Sequence, residues 1–371
     1  MTAVRYLSVC SGIEAASVAW EPLGWVPVAF AEIEKFPSTV LKLRWPHVPN
    51  LGDMTKINGT NFKGNTDVLV GGTPCQSFSV AGLRGGLDDE RGNLALEFVR
   101  IADESDPAFV IWENVPGIFS DRGNAFGCFL AALAGEKAPL LPPGGKWTNA
   151  GYVLGPRRTI AWRVLDAQYF GLAQRRKRVY VIACPRDGAN PCEILFEFDG
   201  MRRDSPPSRK TGERTSGTIE SCLGRSRGAG TSPADIVSHG DVGEPVPSLT
   251  QNFYADDGTR HGLLVPQLSS VRRLTPVECE RLQGFPDNHT AIPWSRAYRH
   301  VPLEVLVRSY RKYLKRTERQ GKHPLPFGDV LQCADGPRYK TLGNSMPTKV
   351  MNWLGRRIER YRQQNGGMKH A

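Results

Sequence analysis

The sequence predicts an α/β protein with a doubly wound, mostly parallel β-sheet and a smaller irregular region. In the first part of the chain, short apolar runs of strand length alternate with longer segments of helical periodicity, as in successive β-α-β units. From residue 191 onward the composition shifts to Gly, Pro, Ser, Thr and Arg with little periodicity, which indicates a second region. We therefore expect one large sheet domain and one smaller domain.

The first part is predicted to alternate strands and helices. Strands are predicted at 6–10, 26–32, 68–72, 109–113 and 179–184. Helices are predicted between them at 15–23, 36–45, 94–104 and 126–134. Because ligands of such sheets bind beyond the carboxyl ends of the strands, the residues that follow each strand are the candidates for a functional site.

Regular structure resumes near residue 274. Thr275, Pro276 and Glu278 form a capping box that predicts a helix over 276–283. A second helix at 302–320 has an apolar face and a basic face, and we interpret it as a solvated helical insert, with contact to phosphates as the alternative. A last helix is predicted at 348–361.

Composition narrows the class of protein. The net charge of +11 favours a polyanionic partner, because neutralised phosphates release their counterions. The eight cysteines include no C-x-x-C pair, so we expect reduced thiols and no metal site. No apolar run has the length of a signal peptide or a membrane span, so we expect an intracellular protein without membrane association.

The turn after the first strand is a candidate cofactor pocket. Twenty residues after Gly12 comes Glu32, a carboxylate placed for ribose hydroxyls. The full G-x-G-x-x-G pattern is missing, and Glu14 would oppose a pyrophosphate. A nucleoside without phosphates fits better, and S-adenosylmethionine is one whose sulfonium cation tolerates carboxylates. Asp53 is a further acidic candidate for the adenine amino group.

Cys75 follows the third predicted strand and precedes a glycine-rich loop at 81–86. A thiol at this edge is placed for nucleophilic attack, and the glycines allow the loop to close over a substrate. A lone cysteine is more often a buried structural residue, so its surroundings decide. Glu113 ends the fourth predicted strand and brings a carboxyl to the same edge of the sheet.

Five ordered motifs carry a resemblance to a known family. They are Thr-Pro-Cys-Gln at 73–76, Glu-Asn-Val at 113–115, Gln-Arg-Arg-Lys-Arg at 174–178, Arg-Leu-Gln-Gly-Phe-Pro at 281–286 and Gly-Asn-Ser at 343–345. This series closely resembles that of the DNA cytosine-5 methyltransferases and covers most of the chain outside 191–270 and 293–336. The resemblance implies a Rossmann-like methyltransferase core with a smaller irregular target-recognition domain.

The resemblance also implies catalytic roles, at Pro74, Cys75, Gln76, Glu113, Asn114, Arg176 and Arg178. Cys75 would attack C6 of a cytosine so that C5 can take the methyl group. Glu113, oriented by Asn114, would donate a proton to N3. Arg178, together with Arg176, would donate to O2 and favour the thiolate. The base would have to be flipped out of the duplex.

The cofactor implied by the resemblance is S-adenosylmethionine, held by Ser11, Gly12, Ile13, Glu14, Glu32, Ile33, Asp53 and Asn344. The implied domains are a cofactor-binding catalytic domain at 1–190, a target-recognition region at 191–270 and a C-terminal segment at 271–371. That last segment begins with the recognition domain, contains the basic helical insert at 296–323 and ends in a helix that returns to the catalytic domain.

Some positions depart from the family pattern. Ser8 and Cys10 stand where the family has an acid and an aromatic residue, Glu14-Ala15 replaces a glycine pair, and Ser248-Leu249 replaces Thr-Leu in the recognition region. None of these changes removes a catalytic group. The expected substrate is double-stranded DNA, acted on by a cytoplasmic, bacterial or phage-encoded monomer. The resemblance leaves open a cognate restriction endonuclease acting on the same site.

Three other functions are compatible with parts of the sequence pattern. An RNA (tRNA) cytosine-5 methyltransferase would use the same core, but the long basic region at 191–270 favours DNA. A catalytically inactive DNA-binding relative would have no need of Cys75, Glu113 and Arg178. A dinucleotide oxidoreductase is disfavoured by Glu14.

Overall fold

The computed structural model describes residues 2–74, 94–197, 246–247, 264–267, 270–292, 294, 303–320 and 333–365. Several predicted features lie outside these residues. They are Cys75, Gln76, the loop at 81–86, residues 248–249 and most of the region 191–270. None of the described helices has the length and apolar character needed to cross a membrane.

A seven-stranded sheet forms the centre of the described structure. Its strands are β1 (Arg5–Val9), β2 (Val26–Ala31), β3 (Val68–Gly71), β4 (Phe109–Asn114), β5 (Ala150–Leu154), β6 (Arg158–Asp166) and β8 (Lys177–Pro185). Between β6 and β8 lies the short β7 (Gln174–Arg175), which pairs with β9 (Val246–Pro247) outside this sheet. A separate antiparallel pair joins β10 (Leu264–Gln267) and β11 (Ser270–Arg273).

The strand order is β2-β1-β3-β4-β8-β6-β5. β1 pairs in parallel with β2 and β3, and β3 pairs in parallel with β4. β8 is antiparallel to both β4 and β6, so β6 runs in the direction of the first four strands, and β5 runs against it. The sheet is therefore mixed, with most strands running one way, as the sequence predicts.

Helices cover both faces of the sheet. They are α1 (Ala15–Trp20), α2 (Lys35–Arg44), α3 (Leu94–Ser105), α4 (Ala125–Ala134), α5 (Pro191–Leu195), α6 (Pro276–Gln283), α7 (Leu303–Arg319), α8 (Asp335–Asn344) and α9 (Thr348–Gln364). The predicted capping box opens α6: Thr275 Oγ1 accepts from Glu278 N at 3.3 Å, and Thr275 N donates to Glu278 Oε2 at 2.7 Å.

Alternation along the strands divides the core into two layers. In β4, Val110 and Trp112 pack with α3 and α4, whereas Phe109 and Ile111 pack with α1 and α9 on the other face. The helix α5 joins the second layer, where Leu195 is fully buried. A doubly wound arrangement follows directly from these two buried faces.

The final helix closes one face of the sheet. Trp20 Nε1 of α1 donates to Met351 O at 2.7 Å, and Asn352 Nδ2 donates to Ala19 O at 2.7 Å. Met351 and Leu354 are fully buried against the layer that contains Trp20. The C-terminal part of the chain is thus packed on its N-terminal part.

The structure contains elements that the sequence analysis did not predict. The hairpin β5–β6 was missed because it is antiparallel and breaks the alternation of strands and helices. The helix α8 was missed because Gly336, Pro337 and Gly343 lower its helix propensity. Elsewhere the predicted bounds differ by up to three residues at element ends, where termini fray; the helix at 15–23, for instance, turns into a 3₁₀ turn at Glu21–Leu23.

Candidate active site

Strand alternation brings Glu113 and Arg178 to the same face of the sheet. Glu113 is two residues beyond Ile111 in β4, and Arg178 is two residues before Tyr180 in β8; Ile111 and Tyr180 both belong to the α1–α9 layer. Glu113 pairs with Tyr180 across the strands, which leaves Arg178 as its diagonal neighbour. Arg178 Nε lies 3.2 Å from Glu113 Oε1.

The Glu113 carboxyl is buried and incompletely bonded. Its Oε1 accepts no hydrogen bond from the described residues, so the contact with Arg178 is an ion pair outside hydrogen-bond geometry. Burial raises the pKa of Glu113, and the positive charges of Arg178 and Arg176 only partly oppose that shift. The site therefore holds a carboxyl that is more readily protonated than an ordinary one and has an oxygen without a hydrogen bond from the described residues.

Asn114 points to the other face and fixes the segment after β3. Its Nδ2 donates to Thr73 O at 3.0 Å, and Trp112 Nε1 donates to Thr73 Oγ1 at 3.0 Å. Pro74, the next residue, is exposed. These bonds hold the point at which the chain leaves the sheet toward Cys75 and Gln76. The anchoring role of Thr73 was not predicted, although the residue lies in the first of the five motifs.

Arg176, two residues before Arg178, binds the C-terminal segment through hydrogen bonds. Its guanidinium is almost fully buried, and Nη2 donates to Gly343 O at 3.0 Å and Ser345 O at 2.8 Å. Its backbone N donates to Asp166 Oδ1 at 2.9 Å. The two carbonyls flank Asn344, whose side chain is exposed. Arg176 thus positions the segment that carries a predicted cofactor residue.

Gly72 packs closely against Glu113. A Cβ at this position would stand 3.0 Å from both Glu113 Oε2 and the Met346 methyl carbon. Neither Gly72 nor Met346 was among the predicted site residues, because only the fold brings the segment after α8 beside β3 and β4. A side chain at Gly72 would displace the carboxyl.

The turn between β1 and α1 has an unusual backbone. Cys10, Gly12 and Glu14 all have positive φ, which is rare for the two non-glycine residues. Ser11 N donates to Ala31 O at 3.1 Å, and Gly12 N donates to Glu32 Oε2 at 2.8 Å. The space where a Gly12 Cβ would stand is open to 4 Å. Such a strained turn at a strand end is typical of a ligand site.

Two predicted cofactor residues of this turn are buried in the protein. Glu14 is fully buried and caps α1, accepting from Ser17 N at 3.1 Å and from Ser8 Oγ at 2.9 Å. The Ile13 side chain is also fully buried. The structure therefore leaves the backbone of this turn, rather than these two side chains, to face a ligand.

Other predicted cofactor residues have accessible side chains. Ile33 is 70% exposed, which is unusual for a large apolar residue and leaves a flat apolar surface beside the half-buried Glu32. Asp53 is partly exposed, and hydrogen bonds from the Thr55 hydroxyl and amide lower its pKa. Cys10 is partly buried against the core, with its Sγ 3.4 Å from Met54 Sδ.

His289 binds the backbone of the turn between β1 and α1, and it was not among the predicted site residues. It is buried, and its Nε2 lies 2.8 Å from Ile13 O, a bond in which the histidine donates. Arg44 Nη2 donates to His289 O at 2.8 Å, and the Phe285 ring lies 4.7 Å from the imidazole. A single histidine in a loop gives no sequence signal for this role.

Comparison with known proteins identifies the family of the chain. A model of the C-5 cytosine-specific DNA methylase family matches residues 4–226. The chain belongs to this family. Among the relatives of the chain, the type II methyltransferase M.HhaI of Haemophilus parahaemolyticus is 28% identical over 83% of the chain and 92% of the relative. M.DsaV of Dactylococcopsis salina is 26% identical over 85% of the chain and 88% of the relative.

A phage protein is more similar to the chain than these two relatives and is named for a different reaction. The chain is 40% identical to a protein of Escherichia phage P1 called DNA N-6-adenine-methyltransferase, over 96% of the chain but only 61% of that relative's length. Two solved structures share the fold of the chain. S. pombe Dnmt2 methyltransferase has a TM-score of 0.55 and 16% identity, over 96% of the chain and 99% of the Dnmt2 chain. The Entamoeba histolytica methyltransferase EhMeth has a TM-score of 0.53 and 14% identity, over 98% of the chain and 99% of the EhMeth chain.

Proposed function

We propose that this protein transfers a methyl group from S-adenosylmethionine to C5 of a cytosine flipped out of duplex DNA, through a covalent bond between Cys75 Sγ and C6. The observation that carries the proposal is the buried Glu113 carboxyl. Its Oε1 accepts no hydrogen bond from the described residues and lies 3.2 Å from Arg178 Nε, at the sheet edge from which the chain leads to Cys75.

A protonated Glu113 suits the first step. When the Cys75 thiolate adds to C6, electron density moves toward N3, and a proton donated there lowers the barrier. Burial raises the pKa of Glu113, so its carboxyl is protonated more readily than an ordinary one. Arg178 lies beside the carboxyl and would donate to O2 of the same base, a charge-assisted bond.

The remaining steps restore the base and the thiol. After C6 is bonded to Cys75 Sγ, C5 acts as the nucleophile that takes the methyl group, and S-adenosylhomocysteine is released. A base then removes the C5 proton, the C6–S bond breaks, and Cys75 leaves as the thiolate. Extruding the cytosine from the stack costs a few kcal/mol, about the unstacking energy of one base pair.

The described residues fit the cofactor. Bound S-adenosylmethionine supplies an electrophilic methyl group on a cationic sulfonium. The open space at Gly12 admits a ligand to the backbone of the first turn. Ile33 offers an apolar surface to adenine, Glu32 and Asp53 offer carboxylates to the ribose and the adenine amino group, and the exposed Asn344 closes the site.

A mechanism-based trap tests the proposal. Long mixed-sequence duplex DNA containing 5-fluorocytosine is incubated with the protein and S-adenosylmethionine, and adducts that survive denaturation are separated by electrophoresis. Fluorine at C5 cannot leave as a proton does, so the wild type should stay covalently attached. Cys75→Ala should form no adduct, whereas Cys192→Ala, which removes a thiol of α5, should behave as the wild type. An adduct with Cys75→Ala, or none with the wild type, contradicts the mechanism.

The identity of the methylated nucleoside separates the alternatives. Substrates methylated with labelled cofactor are digested to nucleosides and analysed by mass spectrometry. We expect 5-methyldeoxycytidine from duplex DNA. N6-methyldeoxyadenosine would support the activity that the phage P1 relative's name states, 5-methylcytidine from tRNA would support an RNA enzyme, and tight DNA binding without any product would support an inactive relative.

A further inference from the structure

The helix α7 has a basic stripe on one face. Its members are Arg308, Arg311, Lys312, Lys315, Arg316 and Arg319, and all are exposed. Their spacing of i, i+3, i+4, i+7, i+8 and i+11 places them along one side of the helix. In the described part of the chain none of the six forms an ion pair with a carboxylate, and the exposed acid Glu318 lies beside the stripe.

The opposite side of α7 packs on the protein. Tyr310, Tyr313 and Leu314 are half-buried, and the two tyrosine rings stack at 5.8 Å. Tyr310 joins the apolar cluster that contains Ile13 and Phe36, which lies behind the first turn. This contact turns the basic stripe outward, on the part of the molecule that holds the candidate cofactor site.

The charge density of the stripe matches that of a nucleic acid. Eleven residue steps at a rise of about 1.5 Å give a length of roughly 17 Å, or one positive charge per ~3 Å. Each strand of duplex DNA carries one negative charge per ~3.4 Å of the helix axis. Ordinary solvated helix faces mix both signs evenly, whereas this face carries six positive charges over three turns, with the carboxylate of Glu318 at its edge.

We propose that the basic stripe of α7 binds the phosphate backbone of duplex DNA outside the base pocket, without reading its sequence. This inference rests on the proposed function, which gives the protein a DNA substrate. The stripe adds contacts to phosphates. The catalytic residues do not supply such contacts, because Glu113 and Arg178 are proposed to bind only the flipped cytosine. An acidic protein partner is the alternative occupant.

Salt dependence of DNA binding tests the inference. The stripe is neutralised in two separate halves, Arg308→Gln/Lys312→Gln/Lys315→Gln and Arg311→Gln/Arg316→Gln/Arg319→Gln. The control is Lys349→Gln/Arg356→Gln/Arg360→Gln, which removes the same charge from an exposed face of α9. Affinity for a mixed-sequence duplex is measured by fluorescence anisotropy over a salt series, and thermal unfolding shows that each variant is folded.

Each phosphate contact contributes about 0.9 to the slope of log affinity against log salt. We expect each half-stripe variant to reduce that slope by roughly 2 to 3 and to weaken binding at least about tenfold at low salt, whereas the control keeps the wild-type slope. An unchanged slope in both half-stripe variants overturns the inference and leaves the acidic partner. A loss of slope equal to that of the control overturns it too.

The trap distinguishes the two proposals. At low salt and high DNA concentration, the stripe variants should still form the Cys75 adduct on 5-fluorocytosine DNA, because they retain every group of the base pocket. An intact adduct with an unchanged slope contradicts the inference about α7 alone. A reduced slope without an adduct in the wild type contradicts the proposed reaction and leaves the DNA-binding role of α7 supported.

Discussion

At the scale of single residues, Arg176 is defined by its contacts. The motif resemblance implies that it donates to the base, whereas in the structure its guanidinium binds the two carbonyls on either side of Asn344. Burial and the nearby Arg178 lower its pKa to about 10, so it remains charged near neutral pH. A buried cation on two backbone carbonyls indicates a positioning residue for the cofactor side of the site.

Arg176→Lys should therefore weaken cofactor binding. An ammonium cannot keep both planar contacts, and leaving a buried carbonyl without its donor costs about 1–3 kcal/mol. We expect the dissociation constant of S-adenosylhomocysteine, measured by calorimetry, to rise about five- to 100-fold. Lys177→Gln, a change at the exposed neighbouring position, should leave it unchanged. A wild-type dissociation constant with a reduced methylation rate would instead indicate a role at the base.

At the scale of elements, two buried groups hold the turn between β1 and α1, and their contributions to stability change with pH in opposite directions. Glu14 caps α1 from inside the core, and burial raises its pKa to about 7. His289 donates to Ile13 O, and burial together with Arg44 lowers its pKa to about 3. Both groups are therefore neutral in the most stable form of the turn.

The signs of their contributions to stability differ. The contribution of Glu14 is complete below its ordinary pKa of 4.5 and is lost as pH rises through about 7. The contribution of His289 is complete above its ordinary pKa of 6.5 and is lost as pH falls toward 3. Between about pH 4.5 and 6.5 the two oppose each other, each with a slope of up to about 1.4 kcal/mol per pH unit.

Single substitutions should expose each slope. In urea denaturation across pH 4.5–6.5, the free energy of unfolding of Glu14→Gln should fall with decreasing pH more steeply than that of the wild type, because only the His289 contribution remains. That of His289→Gln should rise with decreasing pH relative to the wild type. His47→Gln, at an exposed position, serves as the control. Parallel curves for all four proteins would contradict the assignment of these two groups.

At the scale of the whole molecule, α9 completes the core formed by the N-terminal elements. Its buried side chains are Val350, Met351, Leu354 and Ile358. Burying four such side chains contributes roughly 6–12 kcal/mol, comparable to the net stability of about 5–15 kcal/mol of an ordinary domain. Arg357 also donates to Ile194 O at 2.8 Å and so ties α9 to α5.

Removal of residues 348–371 should abolish cooperative unfolding. The truncated chain would expose Trp20 and the apolar layer around it, so we expect a broad thermal transition and binding of a hydrophobic dye. Removal of residues 366–371 alone keeps all of α9 and should shift the melting temperature little. A sharp transition of the 348–371 deletion within a few degrees of the wild type would show that α9 is not part of the cooperative core.

The sequence by itself determined the local features and the family. Strand and helix periodicity, the capping box at Thr275 and the order of five motifs are all local patterns, and each is readable because period and capping depend on near neighbours. They were sufficient to predict the doubly wound sheet and to select Glu113, Asn114 and Arg178. The role of Cys75 rests on this sequence evidence and stays a prediction.

Only the tertiary structure decided which of these groups meet and which are buried. The pairing of β4 with β8 brings Arg178 to Glu113, and the bond of His289 to Ile13 spans 276 residues. Glu14 was predicted to contact the cofactor, yet it is fully buried because its side chain caps the N-terminus of α1. Burial and its effect on pKa depend on segments distant in the chain, and no local pattern contains that information.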